Sequence, residues 1–200
     1  MKPELLLPAG DMEKLKFAFM YGADAVYAGV PVFSLRAREN KFKIDSVKEA
    51  VDYTRSMGKK IYLTLNIFPH NYKIPVLQKA LKSLGELKPD AFIVADPGVI
   101  MLCKELAPQV PIHLSVQANN VNWASAKFWH KNGVERVIVP QLARSFGVFF
   151  PDLELKGKKL FGGLVANTGT TTNNGRWVYF TESGDKFKKG EFGNWTDLEF

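Results

Sequence analysis

The sequence predicts an incomplete TIM-type (β/α) barrel of about six βα units followed by an irregular C-terminal segment, and three observations lead there. Short β-rich runs alternate with amphipathic helical windows, the pattern of βαβ units and a parallel sheet. Two of the runs, Ile61–Asn66 and Ile112–Gln117, alternate apolar and polar residues instead of reading as the continuous apolar stretch of a strand buried on both faces of an open sheet. No glycine-rich dinucleotide fingerprint follows the first run, where an open nucleotide-binding sheet carries it.

The expected strands are Leu5–Leu7, Ala25–Ala28, Ile61–Asn66, Phe92–Ala95, Ile112–Gln117 and Arg136–Val139, with helices near 11–21, 44–57, 74–87, 98–106 and 121–132. Asp11 is placed to cap the first helix, with Lys14 where a capping-box Glu would stand. Gly22, Gly58 and Gly133 follow their helices where a left-handed C-terminal residue is expected. A weak internal repeat runs helix end, acidic residue, hydrophobic strand at Gly22–Tyr27, Pro89–Val94 and Gly133–Val139. In the alternating strands Ile61, Leu63, Leu65, Ile112, Leu114 and Val116 suit packing against helices. Tyr62, Thr64, Asn66, His113, Ser115 and Gln117 suit a partly polar lumen that opens at a mouth. A whole barrel of this type takes about 250 residues, and the periodicity fails after the sixth strand, leaving Leu160–Val165 as the one further strand-like run. The chain therefore divides into a partial barrel, 1–144, and an irregular segment, 145–200. Unpaired backbone on the first and sixth strands predicts a cover, supplied by residues 145–200, a homodimer or a partner subunit.

Composition narrows the function classes. No run approaches the ~18 apolar residues of a membrane span, and the N-terminus reaches Asp11 too soon for a secretory signal, so the expectation is a cytoplasmic protein. The single cysteine, Cys103, excludes an intramolecular disulfide and an all-cysteine metal site within one chain. Three scattered histidines lack metal-ligand spacing, so no metal is expected. A net charge of +7 admits two readings: an anionic partner such as RNA or a phosphorylated metabolite, or solvated lysines at helical spacing such as Lys79 and Lys82.

Barrel chemistry belongs to the loops after the strands' C-terminal ends. The loop after the second strand holds Arg36 and Arg38, two apart on an extended segment and able to grip a carboxylate or phosphate; an exposed basic loop is the alternative. His70, in the loop after the third strand, is the candidate general acid or base, or else a loop histidine bonded to backbone. Asn66, Asn71, Asp96, Gln117, Asn119 and Asn122 complete the candidate ligand-binding set at the mouth. Asn also suits turns and helix caps. His113 reads as a core histidine and His130 as structural.

These mouth residues fall within PELLLPAGDMEKLKFAFMYGADAVYAG, FSLRARENKF, NIFPHN, DPGVIMLCKE and PIHLSVQANNVNWASAKFW, which resemble the collagenase-like peptidase family over roughly residues 2–144. The resemblance is to the family's tRNA-hydroxylating branch, and it implies wobble-uridine 5-hydroxylation with prephenate as substrate, tRNA as partner and an iron–sulfur cluster. Beyond Arg144 the chain departs from the pattern. Phe161–Leu164 resembles the start of the family's cysteine-containing region and Asn167–Trp177 its end, while the piece between is missing. Thr171 and Gly175 stand where two cluster cysteines are implied, and neither ligates iron as a thiolate does, so no cofactor is expected in this chain. Three readings follow: a tRNA uridine hydroxylase working without its own cluster, a non-catalytic remnant that binds RNA or a small carboxylic acid, and a peptidase, for which no nucleophile–base pair is recognisable.

Overall fold

The computed structural model describes residues 4–35, 42 and 44–139, with three short strand segments at 154–155, 158–159 and 161–163. The chain forms two compact units, Lys2–Ala118 and Asn119–Phe200.

In the first unit β1 (Leu6–Ala9), β2 (Ala25–Gly29), β3 (Lys60–Leu65), β4 (Ala91–Val94) and β5 (Ile112–Leu114) lie side by side in chain order. Each pairs in parallel with the next, with Leu6 opposite Ala25, Val26 opposite Ile61, Leu63 opposite Phe92 and Phe92 opposite Ile112. Between them run α1 (Met12–Met20), α2 (Ile44–Ser56), α3 (Ile74–Glu86) and α4 (Pro97–Leu106). This is the βα winding of an incomplete TIM-type barrel, as expected. The core comprises Val26, Ile61, Leu63, Leu65, Phe92 and Leu114 from the strands, with Leu15, Val47, Leu77, Leu81 and Val99 from the helices.

Helix limits follow local chemistry. The Asp11 carboxylate accepts the Lys14 N–H at 2.8 Å and opens α1. Beyond its end Gly22 takes φ +89°, the left-handed conformation that costs glycine nothing. In α3 the buried Leu77, Leu81 and Leu84 recur at helical spacing. Gly85 lets the chain after α4 come close, because a Cβ there would meet the Ala107 Cβ at 2.7 Å.

The acidic residues of the internal repeat have a structural task. Asp24, just before β2, accepts the Leu5 N–H at 2.9 Å, and Asp90, just before β4, accepts the Ile61 N–H at 2.9 Å. Each carboxylate thus binds an amide next to the start of the preceding strand and holds register at the strands' N-terminal ends. Glu4 adds a further anchor there, accepting from the Tyr62 hydroxyl at 2.9 Å and pairing with Lys60 at 3.3 Å.

One strand expectation needs correction. The run Ile112–Gln117 does not stay extended: β5 ends at Leu114, and Val116–Ala118 form a 3₁₀ turn in which the Ala118 N–H reaches the Ser115 carbonyl at 3.0 Å. Val116 and Gln117 therefore do not continue the alternation of faces. The first strand runs later than expected, to Ala9, and the remaining elements differ from expectation by about a residue or two at their ends.

In the second unit α5 (Trp123–Lys131) leads to β6 (Arg136–Ile138), which pairs in parallel with a strand at Phe161–Gly163 inside the strand-like run Leu160–Val165. Gly133 has φ +85° in the turn between α5 and β6. Glu154–Leu155 and Lys158–Lys159 pair antiparallel. The expected boundary at 144/145 lies outside the described residues. Among the described residues no helix is long and apolar enough to cross a membrane.

Candidate functional site

The interior face of the first unit can be followed by register. Thr64 lies opposite Ile93 and Ile93 opposite His113, so the three share one face. Tyr62, two residues before Thr64, meets the His113 ring edge-on at 4.7 Å between centroids. All four are buried. The residues expected to line a lumen are thus inside, as a packed layer with polar atoms. The Thr64 hydroxyl has no hydrogen-bond partner among the described residues.

Above this layer, at the strands' C-terminal ends, three polar side chains converge. Asn66, only 7% exposed, donates from Nδ2 to Gln117 Oε1 at 2.9 Å and lies 3.5 Å from Ser115 Oγ. The Ser115 hydroxyl donates to the same Gln117 oxygen. Asn66 Oδ1 accepts the Leu35 N–H at 3.1 Å from the loop after β2. The 3₁₀ turn that ends β5 makes this cluster, because it brings Gln117 back onto Ser115 and Asn66. The loop itself is strapped along β3: the Val30 N–H reaches the Thr64 carbonyl at 3.2 Å, and the Ile67 N–H reaches the Phe33 carbonyl at 3.3 Å. Within it Val32 is held at φ +70°, a strained conformation for a β-branched residue.

Of the expected site residues that are described, Asn66 and Gln117 alone are brought together by a hydrogen bond. Asp96 caps α4, its Oδ1 accepting the Val99 N–H at 2.9 Å. Asn122 caps α5 by accepting the Ser125 N–H at 2.9 Å. Asn71 opens a 3₁₀ turn and is exposed, and Asn119 is exposed at φ +51°. His70 is exposed and stacks on Tyr72 at 6.0 Å, and its side chain makes no capping hydrogen bond to the 3₁₀ turn that follows it. Arg36 and Arg38 lie outside the described residues. Ser115 and the Leu35 amide were missing from the expected set. Ser115 was legible as an inward polar residue of an alternating run, whereas a backbone N–H leaves no mark in a sequence.

Among the described residues the donors do not fit an iron–sulfur cluster. Cys103 is buried on α4, and burial pushes its thiol from the ordinary 9.0 up to about 12, so it stays protonated and is not a thiolate ligand. No group of three or more His, Cys, Asp or Glu side chains among the described residues is arranged to hold a metal ion. Thr171 and Gly175 lie outside the described residues.

Comparison with known proteins places this geometry. Residues 10–144 match the profile of Peptidase family U32. The chain is similar to tRNA hydroxylation protein P of Haemophilus influenzae, with 44% identity over 207 residues, covering 92% of this chain and 44% of that protein. It is likewise similar to tRNA hydroxylation protein P1 of Bacillus subtilis, with 45% identity over 138 residues, covering 69% of this chain and 33% of that protein. The chain therefore spans less than half the length of these relatives. The 207 matched positions in the first exceed the 200 residues of this chain, so that relative carries residues inside the matched span that are missing here. Among solved structures the U32 peptidase Mk0906 superposes with a TM-score of 0.57 at 17% identity, covering 69% of this chain and 58% of that one.

Proposed function

The chain belongs to Peptidase family U32, and we propose that within it this protein takes part in tRNA uridine hydroxylation as a tRNA-modification protein, binding the RNA and modifying its uridine. The observation that carries the reading is the identity of 44% to tRNA hydroxylation protein P, extending over 92% of the chain. The amide cluster of Asn66, Ser115 and Gln117 lies at the end of the strands where barrels of this type collect their ligands. A net charge of +7 favours a polyanionic partner. Prephenate, a small dicarboxylic acid, is the second substrate in this reading. The cytoplasm, where tRNA is found, is the compartment it requires.

A second reading has its own observation. The only cysteine is Cys103, buried and protonated, so the chain does not itself assemble the cluster and instead binds tRNA without hydroxylating it. The two readings separate in one experiment. The protein is expressed in bacteria lacking their own tRNA hydroxylation proteins, and 5-hydroxyuridine derivatives in purified tRNA are quantified by mass spectrometry. Binding of the purified protein to tRNA is measured in parallel. Hydroxylated nucleosides support the first reading, tRNA binding without them supports the second, and no tRNA binding at all overturns both.

A further inference from the structure

The polarity of the amide cluster is set by one backbone group. The Leu35 N–H can only donate, so the Asn66 atom 3.1 Å from it is Oδ1. Nδ2 of the same side chain then faces Gln117 at 2.9 Å, and the atom it meets must accept, which makes it Oε1. The Ser115 hydroxyl donates to that oxygen too, so both of its lone pairs are engaged. The Gln117 Nε2, with two N–H donors, is left on the far side and has no acceptor among the described residues. The outward edge of the cluster is therefore donor-only and uncharged. No cationic side chain among the described residues hydrogen-bonds to it.

We propose that Gln117 is the specificity-determining residue of the mouth, its Nε2 recognising the O4 carbonyl of a uracil base, with Asn66 as the positioning residue that fixes this amide's orientation. Uracil and cytosine differ at this point: uracil carries the O4 acceptor where cytosine carries the N4 amino donor. A donor-only edge accepts the first and leaves donor facing donor with the second. Neutral donors match a carbonyl better than a carboxylate or phosphate, for which cationic clamps are the usual partner. The inference rests on the RNA-binding reading above and names which base that site selects.

The relay supplies its own test. In Asn66→Asp the side chain still accepts the Leu35 N–H, but its other oxygen cannot donate. Gln117 must then turn its NH2 inward and its carbonyl outward. The full-length protein and its Asn66→Asp and Gln117→Glu variants are titrated, by fluorescence anisotropy at fixed salt, with two anticodon stem-loop RNAs that differ only in uridine or cytidine at the wobble position. The parent is expected to prefer uridine by about tenfold. Gln117→Glu and Asn66→Asp each turn an acceptor outward, so both should lose the uridine preference and shift it toward cytidine while still binding RNA. Thermal melts verify that each variant is folded, and Gln117→Met serves in place of Asn66→Asp if that variant does not fold, again with loss of preference expected. A parent that binds both RNAs equally, or variants that keep the parent's ratio, overturn the inference and leave the RNA-binding reading standing. A parent that binds neither RNA overturns that reading. If Gln117→Glu instead loses calorimetric binding of prephenate with its uridine preference intact, the acceptor is a carboxylate and the base assignment falls.

Discussion

At the N-terminal ends of the strands, Asp24 and Asp90 each accept a backbone amide at the start of a neighbouring strand, and Glu4 takes the Tyr62 hydroxyl and the Lys60 ammonium. At the C-terminal ends Asn66, Ser115 and Gln117 form a neutral cluster whose last amide finds no acceptor among the described residues. The same parallel sheet thus presents charge that holds its own backbone at one end, and at the other a polar edge left for something else. The difference teaches where stability and recognition are located in this fold: a carboxylate committed to backbone N–H groups holds register, and an amide with donors remaining is available to a ligand.

The most severe test removes what both ends share. Phe92 is fully buried on β4, between Leu63 and Ile112. Phe92→Ala should cost about 3–5 kcal/mol in urea denaturation and weaken RNA binding by unfolding the whole unit. A loss below about 1 kcal/mol would mean that the two ends are not coupled through this core.

The next test separates the ends. Asp90→Ala leaves the buried Ile61 N–H without its partner. The expected loss is about 1–2 kcal/mol, at the low side for a charged hydrogen bond because Asp90 itself is exposed. The uridine-to-cytidine binding ratio should stay unchanged. A changed ratio at full stability would show that the lower end takes part in recognition.

Cys103 belongs to neither end and gives a pH signature of the core between them. Its pKa is raised by burial from 9.0 to about 12, so the folded state holds the thiol proton more tightly than the unfolded state. The stabilisation is fully present below pH 9.0 and is lost as pH rises from there toward about 12. Stability should fall by roughly 1 kcal/mol per pH unit within that window, a slope missing from Cys103→Ala. Denaturation midpoints of the two proteins between neutral pH and pH 10.5 test this; parallel curves would refute it.

The smallest effect is expected from a carboxylate that touches no strand. Asp52 pairs with Lys48 at 2.8 Å on the exposed face of α2, where the ammonium's hydrogen bond holds its carboxyl below the usual range. Lys48→Ala should leave the unfolding midpoint where it is, because solvent screens such pairs. A drop comparable to that of Asp90→Ala would erase the distinction between acids that bind backbone and acids that do not.

The winding of this chain was legible in its residues because it depends on local properties. Helices begin at Asp11 and end before Gly22 and Gly58 through contacts within a few residues. Strand order follows from short crossovers, and the repeat with its acidic residue marked where β2, β4 and β6 start. The acidic residues of that repeat were visible, although their purpose was not, since Asp24 lies 19 residues from Leu5 and Asp90 lies 29 from Ile61. The candidate site was legible only in part. Asn66, Asp96, Gln117 and Asn122 all offered polar side chains at strand ends. Nothing local distinguishes an Asp or Asn that caps the helix after it, as Asp96 and Asn122 do, from one that reaches across the barrel. Only the tertiary structure decided that Asn66 meets a residue 51 positions away and an amide 31 positions before it. Composition and periodicity determine which faces are apolar and where the chain turns. Which polar atom is left facing outward depends on a chain of directed hydrogen bonds, and that chain exists only once Leu35, Asn66, Ser115 and Gln117 have been brought together by the fold.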